Sequence, residues 1–166
     1  MKEIKEIRGF EGQHEFLSNF YICQMDMNVG GIMFHFYSSE VAYQMFKIFK
    51  NWKNPTQEEL LRALAFVSDC PTPGRAKRKG RKIEIDAEYW DGVKQDVMYE
   101  ILKSKFQNAK LKEKLLKTED AYLEETNTWN DTYWGVCDGE GQNMLGKLLM
   151  RLRSDIRNNY KVPSIV

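Results

Sequence analysis

Glu40, Gln44 and Lys47 recur at steps of four and three in the stretch Ser38-Ser39-Glu40-Val41-Ala42-Tyr43-Gln44-Met45-Phe46-Lys47. A helix turning roughly 100° per residue sets these three on one narrow stripe, with Tyr43 beside it. A carboxylate there can serve as a general base or as electrostatic support. An amide can hold hydroxyl groups, and an amine can bind an anion or attack a carbonyl carbon. The same pattern also describes the wet face of an ordinary amphipathic helix, so the surrounding chain must decide between the two.

The elements that would position this stripe can be read from the neighbouring sequence. A serine hydroxyl at the N-cap and Glu40 in the first turn favour a helix start, while Ala42, Met45, Phe46 and Phe49 supply a core-facing side. The spacing predicts that this helix runs to about Asn51. Upstream, residues 4–10 read as a first strand, and residues 20–27 and 32–37 as a hairpin turned by Asn28-Val29-Gly30-Gly31. Downstream, Thr56 and Glu59 stand at capping-box spacing before a helix that Asp69-Cys70-Pro71 ends. Residues 71–82 read as a loop crowded with Arg75, Lys77, Arg78, Lys79, Arg81 and Lys82 around Gly80. Helices are expected over about 91–106, 109–117 and 143–158, with a strand over 121–126 and a loop-rich segment from Trp129 to Gly141. The expected fold class is α+β: one helix-rich domain over residues 1–166 with a small sheet.

With 166 residues and 42% hydrophobic content, the chain can bury a core of its own. The formal net charge of +1 argues against a globally basic nucleic-acid binder, so any preference for an anionic partner must be local. Three separated cysteines, Cys23, Cys70 and Cys137, suggest neither a disulfide framework nor a zinc site. His14 and His35 are isolated, no nucleotide fingerprint of the strand–GxGxxG–helix kind is present, and neither a metal nor another cofactor is expected. The charged first residues lack a leader's apolar segment, and no run has the length of a membrane span, so a cytoplasmic setting is expected.

An ordered set of motifs carries a resemblance. Phe16-Leu17-Ser18-Asn19-Phe20-Tyr21 comes first, then Ser39-Glu40-Val41-Ala42-Tyr43-Gln44 with Lys47. Ala76-Lys77, Gly80-Arg81, Trp90 with Val97-Met98, and Lys105-Phe106-Gln107-Asn108 before Leu111 follow. Asp131-Thr132-Tyr133-Trp134-Gly135 and the run from Gly141 to Arg151 close it. Together they resemble the NADAR (YbiA-like) family from residue 16 to about 153. Where many members have His after the motif glutamate this chain has Val41, and Tyr89 stands where an acid often precedes the tryptophan.

The resemblance implies a compact α+β fold and N-glycosidase chemistry on ribosyl substrates. Two substrate groups come with it: phosphoribosylamino-pyrimidine intermediates of riboflavin synthesis, and ADP-ribose attached to a base such as guanine, within nucleic acid or outside it. Cleaving a ribose–base bond passes through an oxocarbenium-like state that a carboxylate stabilises. Glu40 is the first choice for that role and Asp131 the second, although an Asn-Asp pair also makes turns. Lys47 would bind phosphate or form a Schiff base. Asn19 and Gln44 suit ribose hydroxyls. Trp90 and Trp134 could stack on the base, with Phe20 and Tyr43 lining the same region, or all four could be core. Arg81 is the motif-matched phosphate ligand. Asn143, Gly146 and Lys147 stand at a helix start whose free N–H groups would suit an anion, unless Gly146 only permits close packing. Two other classes remain open: a module that binds ADP-ribose or a nucleotide without turnover, and a nucleic-acid binder organised by the basic run.

Overall fold

The computed structural model describes residues 6–160. In order the chain forms β1 (Glu6–Arg8), a 3₁₀ turn (Gly12–Leu17), β2 (Met25–Val29), β3 (Ile32–Phe36), α1 (Ser39–Phe46), α2 (Gln57–Asp69) and α3 (Pro73–Gly80). It continues through α4 (Ala87–Lys105), α5 (Ala109–Leu116), β4 (Tyr122–Glu124), β5 (Thr126–Asn127), β6 (Val136–Cys137) and α6 (Met144–Tyr160). The fold class is α+β. The chain gathers into two units, one of residues Asn19–Asn108 and one of the segments to either side of it.

In the central unit, β2 and β3 pair antiparallel with Met25 opposite Phe36 and Val29 opposite Ile32. Gly30 and Gly31 both take positive φ, +58° and +84°, which glycine adopts without the clash a Cβ would bring. α1 is the hub of this unit: α2, α3, α4 and β3 all pack on it. Every residue of α1 is buried, so the helix has no solvated side. Ser38 caps it, accepting from the Val41 N–H at 3.3 Å. The Glu40 N–H donates to the Asn19 carbonyl at 3.0 Å. That bond ties residues ahead of the hairpin to the helix start, and β2 begins at Met25 rather than near residue 20.

Three other expectations are corrected within this unit. α1 ends at Phe46 instead of near Asn51, because the N–H groups of Lys47, Ile48 and Phe49 turn back onto the carbonyls three residues earlier. The basic run is a helix and not a loop. Thr72 caps it, accepting from the Arg75 N–H at 3.3 Å, and Pro73 stands at its first position, where its fixed φ and missing N–H cost nothing. α4 starts at Ala87, four residues before the expected 91, since Asp86 caps it by accepting from the Tyr89 N–H at 3.1 Å. The capping box of α2 forms as its sequence predicts, with Glu59 and Thr56 bonded reciprocally at 2.9 and 3.2 Å.

The other unit has its described residues at 6–18 and 109–160. β1 and β4 pair in parallel with Ile7 opposite Leu123, and β5 and β6 pair in parallel with Thr126 opposite Val136. Strand pairing is thus divided among three two-stranded sheets over the described residues. Residues 4 and 5 of the expected first strand lie outside the described part. α6 packs on β4 and α5. Its buried Arg153 donates to the Thr118 hydroxyl at 2.7 Å and the Ala121 carbonyl at 2.9 Å, closing the turn between α5 and β4. Among the described residues no helix is long and apolar enough to cross a membrane.

Candidate active site

Glu40 is 7% exposed and Gln44 5%, so two of the three stripe residues lie inside the central unit and not in water. Gln44 Nε2 donates to Glu40 Oε1 at 2.7 Å, the bond expected of an acid and an amide four residues apart on a helix. A buried carboxylate so held has a fixed orientation, which a general base or charge stabiliser requires. The side-chain amide oxygens of Asn19 and Gln44 are both buried and accept no hydrogen bond among the described residues.

Lys47 caps the C-terminal end of α1 and is half-buried. Burial pushes its pKa below the ordinary lysine value, Glu40 pulls it back up, and Arg81, Lys77 and Lys94 push it further down. The same balance shows that three cations and one carboxylate act on a single amine. Its Nζ stands 5.5 Å from the Tyr43 ring centroid, and the Tyr43 and Trp90 rings meet at 5.4 Å with a tilt of 51°. Lys47, Tyr89 and Trp90 also line a cleft of about 700 Å³ with Lys50, Arg62, Glu84 and Asp86. Phe20, 43% exposed, carries Lys77 Nζ at 5.5 Å over its ring.

α3 supplies a second feature. Arg75, Arg78, Lys79, Arg81 and Lys82 line a groove of about 490 Å³. Lys79 is 3.3 Å from Asp69, and no acid pairs with Arg75, Arg78, Arg81 or Lys82 among the described residues. Four unneutralised cations along one groove give a locally positive surface on a chain of nearly zero net charge.

The central unit therefore brings together Asn19, Phe20, Glu40, Tyr43, Gln44, Lys47, Arg81 and Trp90. Asp131, Trp134, Asn143, Gly146 and Lys147 belong to the other unit. There Asp131 Oδ1 accepts from the N–H groups of Tyr133 and Trp134 at 3.1 and 2.9 Å, the turn-forming arrangement. The Trp134 ring stands edge-on to Tyr133 at 4.9 Å. Asn143 takes a φ of +51° and accepts from the Glu125 N–H at 3.0 Å. Its Nδ2 donates to the Leu123 carbonyl at 2.8 Å and the Tyr122 hydroxyl at 3.1 Å. A Cβ on Gly146 would lie 2.1 Å from the Leu123 carbonyl oxygen, so that glycine lets α6 approach β4. The N–H groups of Met144 and Leu145 donate to the Tyr133 and Trp134 carbonyls. They are occupied, contrary to the expected free anion site. Lys147 is exposed.

Asn143 thus yields a stability prediction. Asn143→Ala leaves the buried Leu123 carbonyl and Glu125 N–H without the amide's bonds and sets alanine at positive φ, and about 3–5 kcal/mol of unfolding free energy should be lost. Urea unfolding measures this, and a change below about 1 kcal/mol would show the amide's bonds to be dispensable.

Two residues escaped the sequence reading. Lys105 is fully buried, its Nζ 5.7 Å from the Tyr21 ring and 5.5 Å from the Phe106 ring. Its helical spacing marked it as a core position, but its type gave no role there. Gly80 stood out only as part of the basic run and of the Gly80-Arg81 motif, whereas a Cβ there would lie 2.0 Å from Gln44 Oε1.

Comparison with known proteins places these residues in a family. The NADAR domain model matches residues 8–157. N-glycosidase YbiA of Escherichia coli K12 is 36% identical over 140 residues, covering 74% of this chain and 87% of that protein. A riboflavin biosynthesis protein of Vibrio vulnificus is 34% identical over 148 residues, 88% of this chain and 36% of that longer protein. The NMR structure of E. coli YbiA superposes with a TM-score of 0.75 at 29% identity, covering 99% of this chain and 93% of that one. The chain belongs to the NADAR family of N-glycosidases.

Proposed function

We propose that the chain hydrolyses the bond between a nitrogenous base and the ribose of a phosphorylated sugar, and that its role is to remove ADP-ribose from guanine. The observation that carries this is the buried Glu40, fixed by Gln44 at 2.7 Å, acting on the half-buried amine of Lys47. On the hydrolytic route Glu40 takes a proton from water, the water oxygen bonds to C1 of the ribose, and the C1–nitrogen bond breaks. The base leaves with the electron pair and receives the proton that Glu40 took from water, and until it takes that proton the ionised Glu40 steadies the positive charge that builds at C1. On the covalent route the Lys47 amine adds to C1 of the ring-opened sugar and expels the base nitrogen. Water then hydrolyses the Schiff base to the aldehyde and returns the free amine.

The remaining candidate residues of the central unit have a place in this reading. Gln44 holds Glu40 in place, Asn19 offers an acceptor for a ribose hydroxyl, and Phe20, Tyr43 and Trp90 offer aromatic surface for the base. Arg81 and the groove of α3 hold phosphate. In the other unit, Asp131 and Asn143 hold the turns around them and Gly146 sets the packing of α6 on β4. The three free cysteines fit a reducing, cytoplasmic setting.

The five cations that line the α3 groove favour a substrate with more than one phosphate, hence ADP-ribose, within nucleic acid or outside it. Hydrolysis of phosphoribosylamino-pyrimidine is the second reading, supported by the Vibrio relative's name. Mass spectrometry of the chain with ADP-ribosyl-guanine in an oligonucleotide, and separately with the phosphoribosylamino-pyrimidine, tests both. Faster release from the first supports the favoured role and faster release from the second the alternative. Binding without product from either would select a non-catalytic module.

The groove also predicts salt behaviour. Arg78→Ala and Arg81→Ala should each weaken binding of the modified oligonucleotide, and each should flatten the slope of log affinity against log salt by about 0.7. Unchanged slopes would take the groove off the substrate path.

A further inference from the structure

α3 turns its cations outward and its small residues inward: Ala76 and Gly80, four apart, are both buried and α3 packs on α1. At Gly80 the approach is closest. A Cβ there would lie 2.0 Å from Gln44 Oε1, 2.6 Å from its Cδ and 2.9 Å from its Cβ, well inside van der Waals contact. The Gln44 amide is thus held between two groups. Its Nε2 faces the Glu40 carboxylate at 2.7 Å. The reverse orientation would oppose two oxygens at that distance, so Oε1 must face Gly80, and it accepts no hydrogen bond among the described residues. A buried amide oxygen left unbonded is costly, and it persists where packing leaves the side chain no other orientation. The bare Cα of Gly80 is what leaves room for this orientation.

From this we propose that Gly80 is a positioning residue for the reaction: by seating α3 against Gln44 it holds the amide that aims Glu40. It touches no reacting atom and acts through Gln44 alone. The proposal rests on the reading of Glu40 as the catalytic carboxylate. It also gives the basic helix an inner task distinct from phosphate binding on its outer face.

The test is a double-mutant cycle of Gly80→Ala and Gln44→Ala, with Glu40→Gln alongside, reading kcat, KM and thermal melting for each. In Gly80→Ala the methyl group displaces the Gln44 amide by more than 1 Å, and kcat should fall on the order of 10²-fold with KM nearly unchanged. In the Gln44→Ala background the side chain that collides is gone, so adding Gly80→Ala should change kcat by less than about two-fold. An additive cycle, or full kcat in Gly80→Ala, overturns the proposal. Where Gly80→Ala alone does not fold, a double variant that folds with the kcat of Gln44→Ala supports it. A double variant that also fails to fold overturns it, since the methyl group then meets something other than Gln44. Glu40→Gln separates the two layers: wild-type turnover there removes the catalytic reading itself, whereas loss there beside an additive cycle removes only the role of Gly80.

Discussion

Glu40→Gln should lower kcat by about 10²–10⁴-fold while leaving the fold and substrate affinity nearly intact. The substitution is isosteric, and the new amide can still present an oxygen to Gln44 Nε2, which donates to Glu40 at 2.7 Å. The backbone bond from residue 40 to the Asn19 carbonyl, which ties the chain to the helix start, involves no side-chain atom. What disappears is the negative charge, so the loss falls on the charged transition state and not on ground-state binding. Equal falls in kcat and kcat/KM would show this, together with an unchanged dissociation constant for the uncleaved substrate.

The second large effect is expected at Lys47 and runs in opposite directions for activity and stability. Lys47→Met should lower kcat/KM by about 10²-fold, because the site loses its central cation. The same change should raise the melting temperature at neutral pH. Burial and the neighbouring cations Arg81, Lys77 and Lys94 make the charged amine unfavourable by more than Glu40 restores, and methionine carries no charge. The sign follows from proton uptake. Between the lowered pKa of the folded chain and the ordinary value of 10.5, the unfolded chain holds more protons on this group. Stability of the wild type therefore rises with pH through that window, and below it the cost of the buried charge is present in full. The advantage of Lys47→Met should be greatest near neutrality and shrink as the pH approaches 10.5, which thermal melts across pH will measure. A lower melting temperature for the variant at neutral pH would contradict this account. Borohydride trapping then distinguishes the two roles of the amine. A covalent sugar adduct that is lost in Lys47→Ala supports the Schiff base, and intact turnover without an adduct excludes it.

Local chemistry was legible wherever one or two residues decide it. The capping box of Thr56 and Glu59, the Gly30-Gly31 turn and the Glu40–Gln44 pair all follow from spacing along the chain. The burial of that pair did not, because whether a polar stripe faces water depends on what packs over it, and α2, α3 and α4 are brought there by the tertiary fold. α3 was misread for a related reason. Thr72-Pro73 is a helix start as well as a turn signal, and the six cations after it masked the buried faces of Ala76 and Gly80. Asn143 shows the limit most clearly. Its place at the start of α6 was legible, whereas the three bonds its amide makes to Tyr122, Leu123 and Glu125 depend on how β4 packs against that helix.

The central claim is that a fixed, buried carboxylate on α1 drives cleavage of a ribose–base bond. Its most direct test is time-resolved mass spectrometry of an oligonucleotide carrying ADP-ribosyl-guanine, incubated with the wild type or with Glu40→Gln. The wild type should release free ADP-ribose and return the unmodified oligonucleotide, with Glu40→Gln at least about 10²-fold slower. Equal rates for the two proteins would contradict the account. So would a wild type that cleaves neither this substrate nor the phosphoribosylamino-pyrimidine.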